Sequence, residues 1–300
     1  MARLADKPAR FQDVILTQSG TEKLSSESSG SEPLRLAIAG LGAIGMEVAA
    51  RIEARAVEGI ALTAVSARDR QKAAGKLKDF STIPEFVSID ELAEHAEIIV
   101  ECSPASLFLD IARPAIERGR IFVPLSVGVL LDHMDLVDRA RQTGARIIVP
   151  TGALLGLDAV KAVAEGDVKA IRMVTRKPPA GLKGAPYLTE RGISVDGLEQ
   201  AKKVFAGSAR EAARGFPANV NVAAALALAG IGPNRTEVEI WADPAVTRNI
   251  HTIIVEADAS NFSMTIENVP TQENPPTGKI TALSVIATLR RLTEPLVVGT

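Results

Sequence analysis

Cysteine is almost missing from these 300 residues, since Cys102 stands alone. An internal disulfide and a cysteine-based zinc cluster are therefore excluded, and a reducing, cytoplasmic setting is the expectation. Aromatic residues are scarce as well, with eight Phe, one Trp and one Tyr. The core must then be aliphatic and rich in alanine, and stacking platforms for single-stranded nucleic acid are not expected. Charge of either sign is not in excess: 34 basic residues face 36 acidic ones, for a net charge of -2. No whole-molecule field draws in a polyanion or an acidic lipid surface. No apolar run reaches the length of about 18 residues that spans a bilayer, and Val14-Ile15-Leu16 is too short for the apolar part of a signal peptide. Neither nucleic acid nor membrane is an expected partner.

What is present is a globular composition, 46% hydrophobic and 23% charged, in a chain long enough for about two domains. Thr17 to Pro33 holds six serines and two glycines with little apolar content, so residues 1–32 are expected to be a disordered leader. Short apolar runs then alternate with helical stretches: LRLAIA (34–39), IALTAV (60–65), EIIVEC (97–102), RIFVPL (120–125) and ARIIVP (145–150), separated by candidate helices at 43–58, 69–77, 89–95, 104–118 and 131–143. Strands that are apolar throughout, with helices between them, point to a parallel sheet covered on both faces. The expectation for residues 33–150 is a doubly wound α/β domain of the Rossmann kind.

The rhythm changes after Pro150. A helix at 151–165, a strand at 169–177, a Gly/Pro-rich loop at 178–186 and an alanine-rich helix at 219–229 precede three strand-like runs at 236–242, 249–257 and 262–269. These three read as an antiparallel meander, giving an α+β domain over 151–275. After Asn274-Pro275-Pro276, the run ITALSVIATLRRL predicts a terminal helix, within 276–300, that packs back on the first domain.

Gly40-Leu41-Gly42-Ala43-Ile44-Gly45 carries the clearest chemistry, because it follows the first strand and opens a helix. Gly40 permits a tight turn, Gly42 lets the backbone approach a pyrophosphate, and Gly45 allows close helix–strand packing. The free N–H groups of the first helical turn, at Ala43 and Ile44, suit an anion. The second strand ends Val65-Ser66-Ala67-Arg68-Asp69. Ser66 and Arg68 suit a ribose 2′-phosphate, whereas Asp69 lies late for a ribose hydroxyl and is placed to cap the next helix. The cofactor is accordingly read as NAD or NADP. Cys102-Ser103-Pro104 and Leu125-Ser126-Val127-Gly128 end later strands, where the crevice of such a sheet lies, and Ser103 is a candidate contact to the cofactor.

Several motifs in order, GLGAIG, SVGVL, PTGALLGLDAVKA, TRKPP, FPANVNVAAALALAG, ADPAVTRNIH and NPPTGKITALSVIATLRRL, closely resemble the L-aspartate dehydrogenase family over residues 34 to 292. The resemblance implies a Rossmann domain, a carboxy-terminal α+β domain that mediates homodimerisation, and NAD(P)-dependent oxidation of L-aspartate to iminoaspartate. The same resemblance implies that the product would feed NAD biosynthesis or hydrolyse to oxaloacetate and ammonia. The family's catalytic histidine falls on His251, and its cofactor-contacting alanine and asparagine fall on Ala153 and Asn221. Thr151, Leu155 and Val129 replace the serine, glycine and alanine more usual there, and a narrowed pocket bears on substrate choice. Two other readings stay open: a dehydrogenase of another small amino or hydroxy dicarboxylate, and an NAD(P)-binding sensor without turnover.

Of the three histidines, His95 and His133 read as solvated helix faces, while His251 lies in the apolar strand NIHTIIVEA. A neutral imidazole there can accept a proton from the substrate amine as hydride leaves Cα. Arg176, Lys177 and Arg248 are the candidate clamps for the substrate carboxylates.

Overall fold

A computed structural model describes residues 32–217, 221–271 and 278–299. The expected leader, the Ala218-Asn219-Val220 segment and Asn274-Pro275-Pro276 lie outside the described residues.

The first half alternates strand and helix: β1 (Leu34–Ala39), α1 (Ala43–Glu53), β2 (Ile60–Ser66), α2 (Arg70–Leu77), β3 (Glu85–Phe86), α3 (Leu92–His95), β4 (Ile98–Glu101), α4 (Phe108–Glu117), β5 (Ile121–Pro124), α5 (Val127–Leu130), α6 (Asp135–Thr143) and β6 (Arg146–Ile147). Its strands form one sheet in the order β3-β2-β1-β4-β5-β6, and every pairing is parallel. The order reverses direction between β1 and β4, which opens a crevice at their carboxyl ends. Leu36, Ala37, Ile38 and Ala39 of β1 and Ile98, Ile99 and Val100 of β4 are fully buried, as strands covered on both faces require. One face packs on α4 through Phe108, Ile111 and Ala115. The other packs on α1 through Val48 and Ala49.

The second half runs α7 (Leu157–Val163), β7 (Val168–Lys177), α8 (Pro186–Glu190), β8 (Lys202–Ser208), α9 (Ala209–Gly215), α10 (Asn221–Ala229), β9 (Glu237–Ala242), β10 (Ile250–Ala257), β11 (Asn261–Glu267) and α11 (Lys279–Arg290). Its five strands are ordered β11-β10-β7-β9-β8. The expected meander is corrected here. β10 and β11 are an antiparallel pair, but β7 inserts between β10 and β9 and pairs with β9 in parallel. The long β7, whose buried side chains alternate from Ile171 to Lys177, buries apolar surface against both neighbours, and a three-strand meander would leave it at an edge. β8, not foreseen, completes the sheet beside β9.

The inner face of this sheet, with Ile171, Met173, Val238, Ile240, Ile253 and Val255, packs on α7 and the alanine-rich α10. The outer face is half-buried. α11 packs back on α1, where Val285, Ile286 and Leu289 join the core formed by Leu36, Ile38 and Val48. Arg290 reinforces this contact by donating to the Ala56 carbonyl. No helix among the described residues is long and apolar enough to cross a membrane.

Candidate active site

The crevice is built first by glycines. Gly40 has φ +94°, a conformation that L side chains rarely adopt, and a Cβ there would stand 2.7 Å from the Cys102 carbonyl oxygen. Its N–H donates to the Ser66 carbonyl at 2.8 Å, which ties the turn to the end of β2. A Cβ on Gly45 would overlap the Gly40 carbonyl, so α1 sits tightly on the turn. Gly42, the residue that opens α1, differs: nothing lies within 4 Å of where its Cβ would be. The space before the first turn of the helix, at Ala43 and Ile44, is thus free for a pyrophosphate on the helix N–H groups. The residues present fit a dinucleotide.

Ser66 lies half-buried at the end of β2, and Arg68 is exposed just beyond it. Asp69 caps α2 by accepting from the Lys72 N–H at 2.9 Å, so the acidic residue nearest the ribose position is engaged locally. Ser103 Oγ stands 3.0 Å from the Gly40 Cβ position, which places this side chain against the fingerprint turn.

Beneath the crevice, Glu101 is fully buried at the end of β4. Its carboxylate accepts from the N–H groups of Ser103 at 3.0 Å, Leu125 at 3.1 Å and Ser126 at 2.8 Å, and from Ser126 Oγ at 3.0 Å. Burial pushes its pKa up, and these donors push it back. The side chain clasps the two loops that leave β4 and β5. Cys102 beside it is a poor nucleophile, because burial and the Glu101 charge raise its thiol well above the usual range.

A second polar cluster lies on the inner face of the five-stranded sheet. His251 on β10 is directly opposite Thr175 on β7, and its Nδ1 is 3.0 Å from Thr175 Oγ1. Only 2% of His251 is exposed. Burial pulls its pKa down to about 3, and the positive charge of Lys177 adds to the effect. The ring is neutral near pH 7. Lys177, two residues beyond Thr175 on the same face, is 5% exposed, and burial lowers its pKa to about 8.

Side chains from the second half fasten the turns that leave the first sheet. Asn221, at the start of α10, accepts from the Gly128 N–H at 3.0 Å through Oδ1. Asn268 Nδ2 donates to the Ala153 carbonyl at 3.0 Å, and the Asn268 main-chain N–H donates to the Asn249 carbonyl beside His251 on β10. The Ala153 turn and the His251 end of the sheet therefore share one residue. Asn268 Oδ1 is buried and has no hydrogen-bond partner, so an acceptor is held ready there for an N–H donor.

Residues 40–150 match a family described as homoserine dehydrogenase, NAD binding domain, and residues 158–292 match one described as aspartate dehydrogenase, C-terminal. A relative from Bradyrhizobium diazoefficiens named L-aspartate dehydrogenase is 55% identical over 93% of this chain and 98% of its own length. The chain belongs to the L-aspartate dehydrogenase family. Another member, L-aspartate dehydrogenase 3 of Bordetella bronchiseptica, is 51% identical over 91% of this chain and its entire length. Among solved structures, aspartate dehydrogenase from Thermotoga maritima superposes with a TM-score of 0.66 at 26% identity, over 89% of this chain and 99% of that one. As a family member the protein is an amino-acid dehydrogenase that uses NAD or NADP.

The structure groups the residues singled out by sequence into two sets. Gly40, Gly42, Ala43, Ile44, Gly45, Ser66, Arg68 and Ser103 surround the carboxyl ends of β1, β2 and β4, whereas Ala153 and Asn221 fasten the turns joining the two sheets. Of the expected carboxylate clamps, Arg176 is turned away from His251. Arg176 points to the outer face of the sheet, pairs with Asp243 at 2.9 Å and stacks 4.9 Å from the Trp241 ring, and Arg248 is exposed. Leu155 is 43% exposed and Val129 packs toward the first sheet's core. Glu101 and Asn268 were missed. The signal for Glu101 was an acidic residue ending an apolar strand; for Asn268 no local signal existed.

Proposed function

We propose that this protein oxidises L-aspartate to iminoaspartate, with His251 as the acid/base group. The observation that carries the reading is a buried, neutral imidazole held by Thr175 on the sheet end that Asn268 connects to the Ala153 turn. In the tautomer where Nδ1–H donates to Thr175 Oγ1, Nε2 holds the lone pair and accepts a proton from the substrate ammonium. A nicotinamide held in the crevice would supply the acceptor for the hydride that leaves Cα. In the reverse direction His251 would return that proton to the amine nitrogen formed when the iminium is reduced. Gly40, Gly42, Gly45 and the first turn of α1 would hold the pyrophosphate, and Ser66 and Arg68 would meet the ribose or its 2′-phosphate. Ser103, Ala153 and Asn221 would lie against the nicotinamide half. Asn268 Oδ1, an orphaned acceptor beside Ala153, suits an N–H of the bound ligands.

Residues 33–150 form the dinucleotide-binding domain in this reading, 151–275 the substrate and dimerisation domain, and 276–300 the returning helix. The outer face of the five-stranded sheet, with Val174, Ile250 and Ile254 half-buried amid charged neighbours, supports a homodimer formed through it. The single cysteine supports a cytoplasmic location. The test is initial-rate NADH and NADPH production from L-aspartate, with glutamate, alanine and malate in parallel. Aspartate-dependent turnover above all three is the expected result; equal or faster turnover of any rival overturns the assignment.

A further inference from the structure

The buried residues of α11 are Ala282, Ser284, Val285, Ile286 and Leu289, and Ser284 is the polar one among them. Serine is a poorer helix former than alanine, and burying its hydroxyl costs free energy unless the oxygen finds partners. Both of its roles are met. The Ser284 O–H donates to the Thr281 carbonyl at 2.7 Å, back along the same helix, which leaves the lone pairs for a partner outside it. That partner is the Gly152 N–H, which donates to Ser284 Oγ at 3.0 Å across 132 positions of sequence.

Gly152 belongs to the turn that follows β6, on the carboxyl side of the parallel sheet where the crevice opens. The turn closes through the Leu154 N–H, which donates to the Thr151 carbonyl at 3.0 Å. Two side chains then hold it from outside: Ser284 takes the Gly152 N–H, and Asn268 Nδ2 donates to the Ala153 carbonyl. Gly152 has φ +63° and open space around its Cβ position, so hydrogen bonds rather than packing fix it there. The residues after Ser284 face the other binding element. Val285, Ile286 and Leu289 share a core with Val48 of α1, the helix whose first turn would hold the pyrophosphate. We infer that Ser284 is a positioning residue for the nicotinamide half of the cofactor: it holds the Ala153 turn at a fixed offset from α1, so one helix sets the span between the two binding elements. This inference rests on the dehydrogenase reading above, in which Ala153 lies against the nicotinamide.

Without the Ser284 oxygen the turn samples other positions, and cofactor binds the correctly placed fraction, so affinity falls while the saturated enzyme regains the working geometry. The experiment compares full-length wild type, Ser284→Ala and Ser284→Thr by calorimetry and aspartate kinetics. The titrants are NADH or NADPH, whichever the wild type binds more tightly, and the matching fragment without nicotinamide, ADP-ribose or its 2′-phosphate. For Ser284→Ala the Kd of the whole cofactor is expected to rise about tenfold, the loss of one buried hydrogen bond, while that of the fragment stays within about twofold of wild type. The kcat at saturating cofactor falls by less than the cofactor KM rises. Ser284→Thr keeps the hydroxyl and binds both titrants within about threefold of wild type; Ser284 and Thr151 line a cavity of about 1190 Å³, which gives the added methyl group room. Unchanged cofactor affinity in Ser284→Ala overturns the inference. Equal weakening of cofactor and fragment also overturns it, since that is a general loosening of α11 on α1. A threonine variant as weak as the alanine one does the same, and Ser284→Val, the size of threonine without its hydroxyl, supplies the comparison if Ser284→Ala does not fold. A wild type that binds cofactor but is silent toward aspartate, with the selective loss in Ser284→Ala, overturns the dehydrogenase reading and keeps Ser284 as the residue that places the turn.

Discussion

The two sheets treat their buried polar groups in opposite ways. In the parallel sheet Glu101 is surrounded by four donors, and each bond closes within the same sheet and its loops. In the mixed sheet His251 has one side-chain partner in Thr175, and Asn268 keeps an acceptor atom without a partner. A fully satisfied buried group is structural glue, and an incompletely satisfied one is a place prepared for something else. On the proposed function, the parallel sheet would supply a cradle made mostly of backbone, and the mixed sheet would supply the acid/base side chain.

The largest effect that would sharpen this contrast is at His251. His251→Asn is expected to lower kcat by about a thousandfold, the range for loss of an acid/base group, with cofactor affinity nearly unchanged and Tm no lower than wild type. Retained turnover would remove the imidazole from the mechanism. Glu101→Gln reverses the pattern: it leaves mismatched donors in a buried site and is expected to cost about 2–4 kcal/mol of stability by denaturant unfolding. A silent Glu101→Gln would break the contrast outright.

Acidity provides a third probe. The folded-state pKa of His251, about 3, lies below its ordinary 6.5, so between these values the unfolded chain binds the extra proton. The stability contributed by this group is complete above pH 6.5 and falls as the pH drops toward 3. Wild type should therefore lose stability more steeply than His251→Asn across that window in pH-dependent melting. Lys177 acts with the same sign higher up: its folded pKa is about 8 against 10.5, so stability grows as the pH rises from 8 to 10.5. The smallest expected effect belongs to the cradle's rim, where Arg68→Ala should weaken NADP about tenfold more than NAD, the magnitude of one charge-assisted contact. Equal weakening would discard a 2′-phosphate role.

The parallel half was largely legible because its requirements are local. Gly40 must adopt positive φ, Gly45 must lack a Cβ, and Gly144 ends α6 in the left-handed conformation; glycine is the residue that meets each need. Strands buried on both faces also announce themselves as unbroken apolar runs. β8 stayed hidden since its KKVFAGS buries only Val204 and Phe205 fully, and β3 is two residues long. The order of the mixed sheet depends on long-range pairing, which strand composition does not encode. His251 stood out as a polar residue in an apolar strand, but which of Arg176 and Lys177 is buried turns on strand alternation at one end of β7, where a shift of one residue would have exposed the lysine and buried the arginine.

The return of α11 to α1 also orders the making of the molecule. Val285, Ile286 and Leu289 fill a gap against Leu36, Ile38 and Val48, residues separated from them by most of the chain. During synthesis the nucleotide cradle leaves the ribosome first, yet its outer layer is completed only when the last helix emerges. Every chain that holds cofactor on a finished sheet has thereby been translated through the residues that follow His251 and Lys177.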